Sequence, residues 1–247
     1  MEGFPLTHLT VLERIRAADP TARLAAFGDL AEGYWRPSYH YLRRQWRLSP
    51  EEAEDSVQGF FTVAFEKGYL EKFDPAKARF RTFLRTCLDR YLQNQRKASS
   101  AVKRGGAVEI RSLDFPGAER ELALVSRDVQ DPDRFFRDET IRALFARTVK
   151  DMREAYTREG KPRIFEAFER HDLADREDGE ARTYALVAAA LGVPVTTLTN
   201  DLHAARRRFR ELALVHLRNL VGSEEEFRAE ARELFGVEVD LDLKNEV

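Results

Sequence analysis

Apolar residues recur at spacings of three and four residues through most of this chain, and this spacing restricts its fold more than any other feature. Leu and Ala repeat in this way, with Arg and Glu between them, through most of the 247 residues. The repeat places apolar side chains on one face of an α-helix, whereas a strand requires alternation with a period of two. Alternating stretches are scarce. The sequence therefore predicts an all-α protein.

The clearest helix start lies in the stretch SPEEAEDSVQGFF. Ser49 is suited to the N-cap, Pro50 to the first helical position and Glu52 to the third position of a capping box. Because these three signals agree, we expect a helix from this point to about Lys67, where Gly68 follows.

Weaker signals mark three other helix starts. Thr21 is predicted to cap an earlier helix, in which Pro37 causes a kink or a break. Asp74 and Pro75 are predicted to begin an aromatic and basic helix. A capping box that begins at Ser223 is predicted to start a last helix, which a glycine ends.

A stretch without sustained periodicity separates two helical regions. Residues from about 98 to 133 include small residues, a glycine pair and two prolines, which is typical of a linker. A short helix in its ERELALV portion is the alternative for that part. We therefore predict two small helical domains. The predicted segments are an N-terminal extension at 1–20, a first domain at 21–104, a linker at 105–134, a second domain at 135–218 and a C-terminal extension at 219–247.

The composition argues against several classes of protein. The five histidines lack the spacing of a zinc motif, and the single cysteine, Cys87, cannot form an intramolecular disulfide. No carboxylate pair has an evident base or nucleophile beside it. The sequence shows neither an apolar stretch long enough to span a membrane nor an export signal. We therefore expect a cytoplasmic protein that is not an enzyme, holds no metal or cofactor and has no membrane partner.

Residues 74–97, DPAKARFRTFLRTCLDRYLQNQRK, combine aromatic and basic side chains on one predicted helix, although the net charge of the chain is only −2. The apolar face would carry Phe80, Phe83, Leu84, Cys87, Leu88 and Tyr91. The opposite face would carry Arg81, Thr82, Arg85, Thr86, Gln93 and Arg96. We expect Phe80 and Phe83 to be buried and the basic face to be available to a partner.

Residues 181–217 have the spacing of a helix-turn-helix. Ala188 is small enough for two helices to touch, Gly192 can adopt the left-handed turn conformation and Leu198 can anchor the second helix. Thr196 or Thr197 is predicted to cap that helix. Its core face would be Leu198, Leu202, Ala205, Phe209 and Leu212, and its outer face Thr199, Asn200, His203, Arg206, Arg207 and Arg210. An ordinary helical pair with a solvated charged face is the alternative.

Three segments in this order resemble one family: EEAEDSVQGFFTVAF, then FRTFLRTCLDRYLQNQRK, then the helix-turn-helix. They are similar to bacterial sigma factors of the extracytoplasmic-function type, which keep the second and fourth conserved sigma regions joined by a linker. The resemblance implies a factor that binds core RNA polymerase and directs promoter recognition and DNA melting in transcription initiation.

The resemblance also implies roles for particular residues. Contacts to the β′ clamp helices of the polymerase would involve Glu54, Asp55, Gln58 and Phe61; in this chain Gly59 stands where family members usually have an acidic residue. The minus-ten DNA would contact Arg81, Arg85, Arg90, Gln93, Asn94, Arg96 and Lys97, with a base-capturing loop near residues 89–93. The minus-thirty-five DNA would contact Thr196, Thr197, Thr199, Asn200, His203, Arg206, Arg207 and Arg210.

Two other functions are compatible with the same residues. The first is a DNA-binding regulator with a sigma-like fold that does not engage polymerase, and the second is a helical protein-interaction module with basic faces. Regulation by an anti-sigma factor would fit the resemblance, and a kinase could add acidic charge at Ser56 or Thr62. We also expect the acidic residues 222–247 to contact the second domain or the linker.

Overall fold

Every regular element that the computed structural model describes is helical, so the all-α prediction is confirmed. The structure describes residues 10–16, 19–98, 113–123, 131–174 and 183–236. The first five helices are α1 (Val11–Ile15), α2 (Pro20–Gln45), α3 (Pro50–Glu66), α4 (Phe80–Ala98) and α5 (Phe115–Leu122). The last five are α6 (Pro132–Arg158), α7 (Pro162–Phe168), α8 (Tyr184–Leu191), α9 (Val195–Arg218) and α10 (Glu224–Phe235). A 3-10 turn at Leu70–Lys72 precedes α4, and a π-helical turn at Glu169–Leu173 follows α7.

Helix α3 begins and ends as predicted. The Ser49 hydroxyl accepts a hydrogen bond from the Glu52 N–H, and the Glu52 carboxylate accepts one from the Ser49 N–H. Gly68 follows the helix with a φ of 60°, a conformation that glycine adopts without a steric penalty. All of these contacts are local, which is why the sequence predicts them.

The predicted start of α2 is wrong, and the helix is not broken at Pro37. Asp19, not Thr21, is the N-cap, and its carboxylate accepts hydrogen bonds from the N–H groups of Thr21 and Ala22. The helix then continues through Pro37 to Gln45. A proline inside a helix costs about 3 kcal/mol, but its neighbours include the buried aromatic side chains of Tyr34, Trp35, Tyr39 and Tyr41. Packing of these rings offsets the cost.

The predicted start of α4 is also wrong. Asp74 forms only a local turn, in which its carboxylate accepts a hydrogen bond from the Ala76 N–H. The helix begins at Phe80, whose N–H donates to the Glu226 carboxylate of α10 at 2.8 Å. The helix then runs unbroken through residues 89–93, where the resemblance placed a loop. A contact distant in sequence therefore sets the start of α4.

The described residues belong to two compact units, Met1–Leu144 with His216–Val247, and Phe145–Val215. The first unit differs from the predicted first domain because it includes α5, the first part of α6 and the C-terminal helix α10. The second unit contains α7, α8 and most of α9. Each unit has its own core.

The core of the first unit is rich in aromatic side chains. The rings of Tyr34 and Phe136 stack with their centroids 6.1 Å apart, and the Tyr34 hydroxyl donates to the Leu220 carbonyl at 2.6 Å. The largest fully buried side chains are Tyr34, Tyr39, Tyr41, Phe60, Phe61, Phe80, Phe136, Phe227, Leu12, Leu30, Leu42 and Leu70. Aromatic rings of α2 thus pack against rings of α3, α4 and α6.

The second unit has two smaller hydrophobic clusters. One comprises Met152, Tyr156, Phe165, Phe168 and Ala205, and the other Ala167, Val187, Ala188, Leu198 and Leu202. Helix α9 contributes to both, so its inward face is fixed along most of its length. Among the described helices none is by itself long and apolar enough to cross a membrane, and α8 with α9 meets the criteria only as a pair bent by 99°.

Candidate nucleic-acid interface

Helices α8 and α9 are joined by a tight turn of the predicted kind. The Thr183 side chain caps α8 by accepting a hydrogen bond from the Leu186 N–H. Gly192 ends the helix with φ 65° and ψ 32°, the left-handed conformation that glycine favours. Helix α9 starts at Val195 and is turned by 99° from α8. Thr196 and Thr197 therefore lie inside the first turn and are not its N-cap, which corrects that prediction.

The predicted faces of α9 agree with the structure. Leu198, Leu202 and Ala205 are fully buried, and Phe209 and Leu212 pack partly buried against the core. The predicted DNA-contacting side chains that are exposed are Thr196, Thr199, Asn200, His203, Arg206, Arg207 and Arg210, whereas Thr197 is half-buried. The core face therefore fixes which side chains point outward.

The arginines of the exposed α9 face differ in their partners. Arg206 donates two hydrogen bonds to Asp172, at 2.9 and 2.8 Å, and these bonds hold the Arg206 side chain in place. Burial alone would raise the pKa of Asp172, but the hydrogen bonds from Arg206 and His171 keep it below its ordinary value. Arg207 is 68% exposed, and its ion pair with Glu211 is long, at 3.8 Å. Arg207 is thus the better placed to reach a phosphate.

A cavity of about 560 Å³ in the first unit lies between the end of α3, the 3-10 turn and α4. Its lining combines cations, aromatic rings and amides: Val63, Lys67, Tyr69, Lys72, Phe83, Cys87, Arg90, Tyr91, Asn94 and Gln95. None of these lining residues is acidic. Burial raises the pKa of the Cys87 thiol to about 11, so this side chain is neutral at pH 7. The cavity therefore presents positive charge and ring faces to a ligand.

The structure divides the predicted minus-ten residues into two groups. Arg90 and Asn94 line the cavity, and Gln93, Arg96 and Lys97 are exposed on the same part of α4. Arg81 and Arg85 do not line it: Arg81 pairs with Glu230 on α10, and Arg85 pairs with Asp89 and Asp133. These two guanidinium groups, which are only 13% and 16% exposed, join α4 to its neighbours.

Sequence reasoning missed Lys67, Lys72 and Tyr69 as members of this cavity. They lie at the end of α3 and in the 3-10 turn, outside the segment that carried the aromatic and basic pattern. The sequence pattern that could have identified them is Lys67–Gly68–Tyr69 at the end of α3, followed by a second lysine, Lys72. Phe83 was predicted to be buried, but it is half-exposed and lines the cavity, whereas Phe80 is fully buried as predicted.

The predicted polymerase-binding residues do not all lie on the surface. Asp55 and Gln58 are exposed on α3, and Glu54 beside them is half-buried. Phe61 is fully buried, with its ring centroid 6.3 Å from that of Phe27 and 5.1 Å from that of Phe60. Phe61 is therefore a core residue, and we remove it from the set of partner contacts.

Gly59 has a packing reason to be glycine. The hydroxyl of Tyr91 on α4 occupies the space that a Cβ at this position would need. The glycine thus lets α4 approach α3 beside the cavity.

No protein-family model, curated protein or solved structure matches this chain. Within the described ranges, no group of three or more His, Cys, Asp or Glu side chains is arranged to hold a metal ion.

Proposed function

We propose that this protein is a sigma-type transcription initiation factor, which binds core RNA polymerase, recognises promoter DNA and opens it. The observation that carries the proposal is the exposed face of α9, which follows a tight turn and presents polar and basic side chains on a helix whose other face is fixed in a core.

The major groove of B-DNA admits an α-helix such as α9. Asn200 and His203 lie near the start of the helix, where side chains of a recognition helix reach base edges. Asn can bond to adenine through two hydrogen bonds. Arg207 is about 10 Å further along the axis, at a rise of 1.5 Å per residue, where a guanidinium group can neutralise a phosphate. The arrangement supports sequence reading by Asn200 and affinity from Arg207.

The cavity beside α4 supports the second part of the proposal, DNA opening. Stacking of an unpaired base on an aromatic ring contributes roughly 1–3 kcal/mol. Phe83, Tyr69 and Tyr91 supply rings, and Lys72 and Arg90 supply charge for the phosphates. An unstacked base of a melted strand is the ligand that this combination favours.

The exposed acidic side of α3 supports the third part, polymerase binding. Asp55 and Gln58 are exposed and Glu54 lies on the same helix. Carboxylates in the first turns of a helix also stabilise that helix end by themselves, so exposure alone does not require a partner. The resemblance to the sigma family supplies the partner in this proposal.

The experiment that tests the proposal is transcription from a library of bacterial genomic fragments by core RNA polymerase, with and without the purified protein. We expect discrete start sites only when the protein is present. We also expect Arg90→Ala to reduce transcription, whereas Lys77→Ala, which changes an exposed side chain outside the cavity, should not. Equal, non-specific transcription with and without the folded protein would contradict the proposal.

One observation favours the alternative, a DNA-binding regulator that does not engage polymerase. Because Phe61 is a core residue, the remaining candidate polymerase contacts on α3 are all polar. Protein interfaces usually require buried apolar or aromatic anchors. Binding of duplex DNA by a protein that fails to bind polymerase would select this alternative.

A further inference from the structure

Helix α5 lies inside the predicted linker, yet its side chains pack on α2. Phe115 is 6% exposed, and its ring centroid is 5.1 Å from that of Trp35 and 5.3 Å from that of Tyr39. At the other end of α5, Leu122 is 2% exposed. The short helix is therefore held at both ends by apolar contacts.

Two carboxylates of α5 bind arginines of α2. The Glu119 carboxylate accepts hydrogen bonds from the Arg43 Nε and NH2 groups at 2.9 and 2.6 Å, and a third from the Tyr39 hydroxyl at 2.8 Å. The Glu121 carboxylate accepts two hydrogen bonds from Arg36, at 2.6 and 2.8 Å. The Arg43 pair uses two nitrogens and two oxygens, a geometry that adds specificity to charge attraction, whereas both Arg36 bonds come from one nitrogen.

The backbone of α5 is recognised as well. The Ala118 carbonyl accepts a hydrogen bond from the His40 ring at 2.9 Å, and the Leu122 carbonyl accepts one from Arg44. The other ring nitrogen of His40 bonds to the Glu139 carboxylate of α6.

All of the α2 side chains in these polar contacts lie on one side of that helix. Their positions follow the spacing i, i+3, i+4, i+7, i+8, which defines a single stripe on an α-helix. We name this stripe the α2 docking face; it consists of Arg36, Tyr39, His40, Arg43 and Arg44. It presents three arginines to a helix that carries two carboxylates and an aromatic anchor.

We propose that the α2 docking face is a binding site for an acidic amphipathic helix of a partner protein, and that α5 occupies it in the free chain as an exchangeable internal ligand. The proposal concerns a different surface from the proposed DNA contacts and does not depend on them.

Two properties of α5 support exchange. The Glu119 and Glu121 side chains remain 37% and 43% exposed, so water and competing charges can reach both ion pairs. With eight residues, α5 is also too short to be a stable helix alone and needs the docking face to stay folded. A partner helix with an aromatic residue followed by carboxylates four and six positions later would reproduce the contacts of Phe115, Glu119 and Glu121.

The test uses the full chain, isotope-labelled for NMR, and a synthetic peptide of residues 113–123 as the probe. In the double variant Glu119→Lys/Glu121→Lys, lysines face Arg43 and Arg36, and repulsion between like charges should release α5. We therefore expect the protection of the α5 amides from hydrogen exchange to fall at least tenfold. The added peptide should then shift signals of the α2 docking face, and it should bind the unchanged protein at least tenfold more weakly. The matched control Arg120→Ala alters an exposed α5 side chain and should behave like the unchanged protein.

Three outcomes would overturn the proposal, provided that thermal melts show folded variants. The α5 amides of the double variant could keep their protection, so α5 would not be exchangeable. The peptide could fail at millimolar concentration to bind a variant whose α5 is released, or bind the unchanged protein equally well. A single-stranded oligonucleotide could bind the released face where the peptide does not, which would assign the face to nucleic acid.

Discussion

At the scale of single residues, identical side chains have different roles because their neighbours differ. Arg81 bonds to the buried Glu230 carboxylate, Arg90 lines the cavity and Arg207 is largely exposed. Composition alone treats them as equal positive charges. Burial and partner distances show which of them are available to a nucleic acid.

Glu226 should be replaceable by glutamine but not by alanine. Burial raises the pKa of this carboxyl group, so its charge is costly in the fold, while its oxygens accept hydrogen bonds from Phe80 and Gly222. We expect Glu226→Gln to melt at the same or a higher temperature at pH 7, because an acceptor remains and the charge is gone. Glu226→Ala should lose about 1–3 kcal/mol, the cost of unsatisfied donors.

The sign of the pH dependence follows from the raised pKa of Glu226. As the pH falls through that pKa, the folded protein takes up a proton, and the advantage of Glu226→Gln over the unchanged protein should shrink. Thermal melts of the three proteins at pH 7 and pH 5 measure this. A large loss of stability in Glu226→Gln at pH 7 would show that the charge itself is required.

Gly59 and Tyr91 should be coupled in a double-mutant cycle. Gly→Ala inside a helix normally stabilises by about 1 kcal/mol. Here the Tyr91 hydroxyl must move to admit a Cβ, so Gly59→Ala should gain little or be destabilising. In the Tyr91→Phe background, where the hydroxyl is absent, the gain should reappear. Denaturant unfolding of the four proteins gives the coupling, and additive effects would contradict the packing contact.

At the scale of helices, the sequence predicts those whose ends depend on local contacts. Ser49, Glu52 and Gly68 fix α3 through neighbours in the chain, and Gly192 ends α8 in the same way. The start of α4 could not be predicted, because its partner Glu226 is 146 residues away. Because of this separation in sequence, the contact of the C-terminal helix α10 with α4 could not be predicted either.

Helix α10 was expected to contact the second domain or the linker, and two of its carboxylates do pair with residues of the predicted second domain, Glu233 with Arg137 and Glu224 with Arg218. Helix α10 also contacts α4, which was not expected. Its carboxylates bind the start of α4, where Glu226 accepts from Phe80 and Glu230 pairs with Arg79 and Arg81. The acidic run predicted a basic partner correctly but could not identify which of several basic segments it contacts. Residues 237–247 lie outside the described ranges. For the cavity too, the sequence predicted only the lining residues on α4 and not those on α3 and the 3-10 turn.

The attachment of α5 to α2 should weaken in acid. The hydrogen bonds from Arg43 lower the pKa of Glu119 from 4.5 to about 2. Because the folded pKa is depressed, this contact contributes fully above pH 4.5 and is lost as the pH falls towards 2. The carboxyl carbon shift of Glu119, followed by NMR, should not titrate between pH 6 and pH 4. In Arg43→Ala it should titrate near 4.5, and titration there in the unchanged protein would contradict the contact.

At the scale of the whole molecule, each compact unit carries one of the two surfaces that we propose bind nucleic acid. The second unit presents the exposed face of α9, and the first presents the cavity beside α4. The predicted two-domain organisation placed one candidate surface in each domain. It could not anticipate that α5 and α10 belong to the first unit, because that depends on contacts between residues far apart in the chain.

Two substitutions in α9 should separate affinity from specificity. Arg207→Ala should weaken binding to all duplexes and reduce the slope of log K against log salt by about 0.9, the loss of one phosphate contact. Asn200→Ala should chiefly reduce discrimination between sequences, by about 1–3 kcal/mol at one base pair. Fluorescence anisotropy with the best and a scrambled duplex over a salt series measures both. Equal loss from both substitutions on every sequence would contradict the assignment.

The central claim is that this protein works on promoter DNA as part of RNA polymerase, and its most direct test is association with core polymerase. We expect a one-to-one complex of the purified protein, weakened at least tenfold by Asp55→Arg, which reverses an exposed charge on α3. Arg120→Ala, on a different helix, should leave the complex unchanged. A folded protein that binds duplex DNA through α9 but forms no complex with core polymerase would contradict the claim.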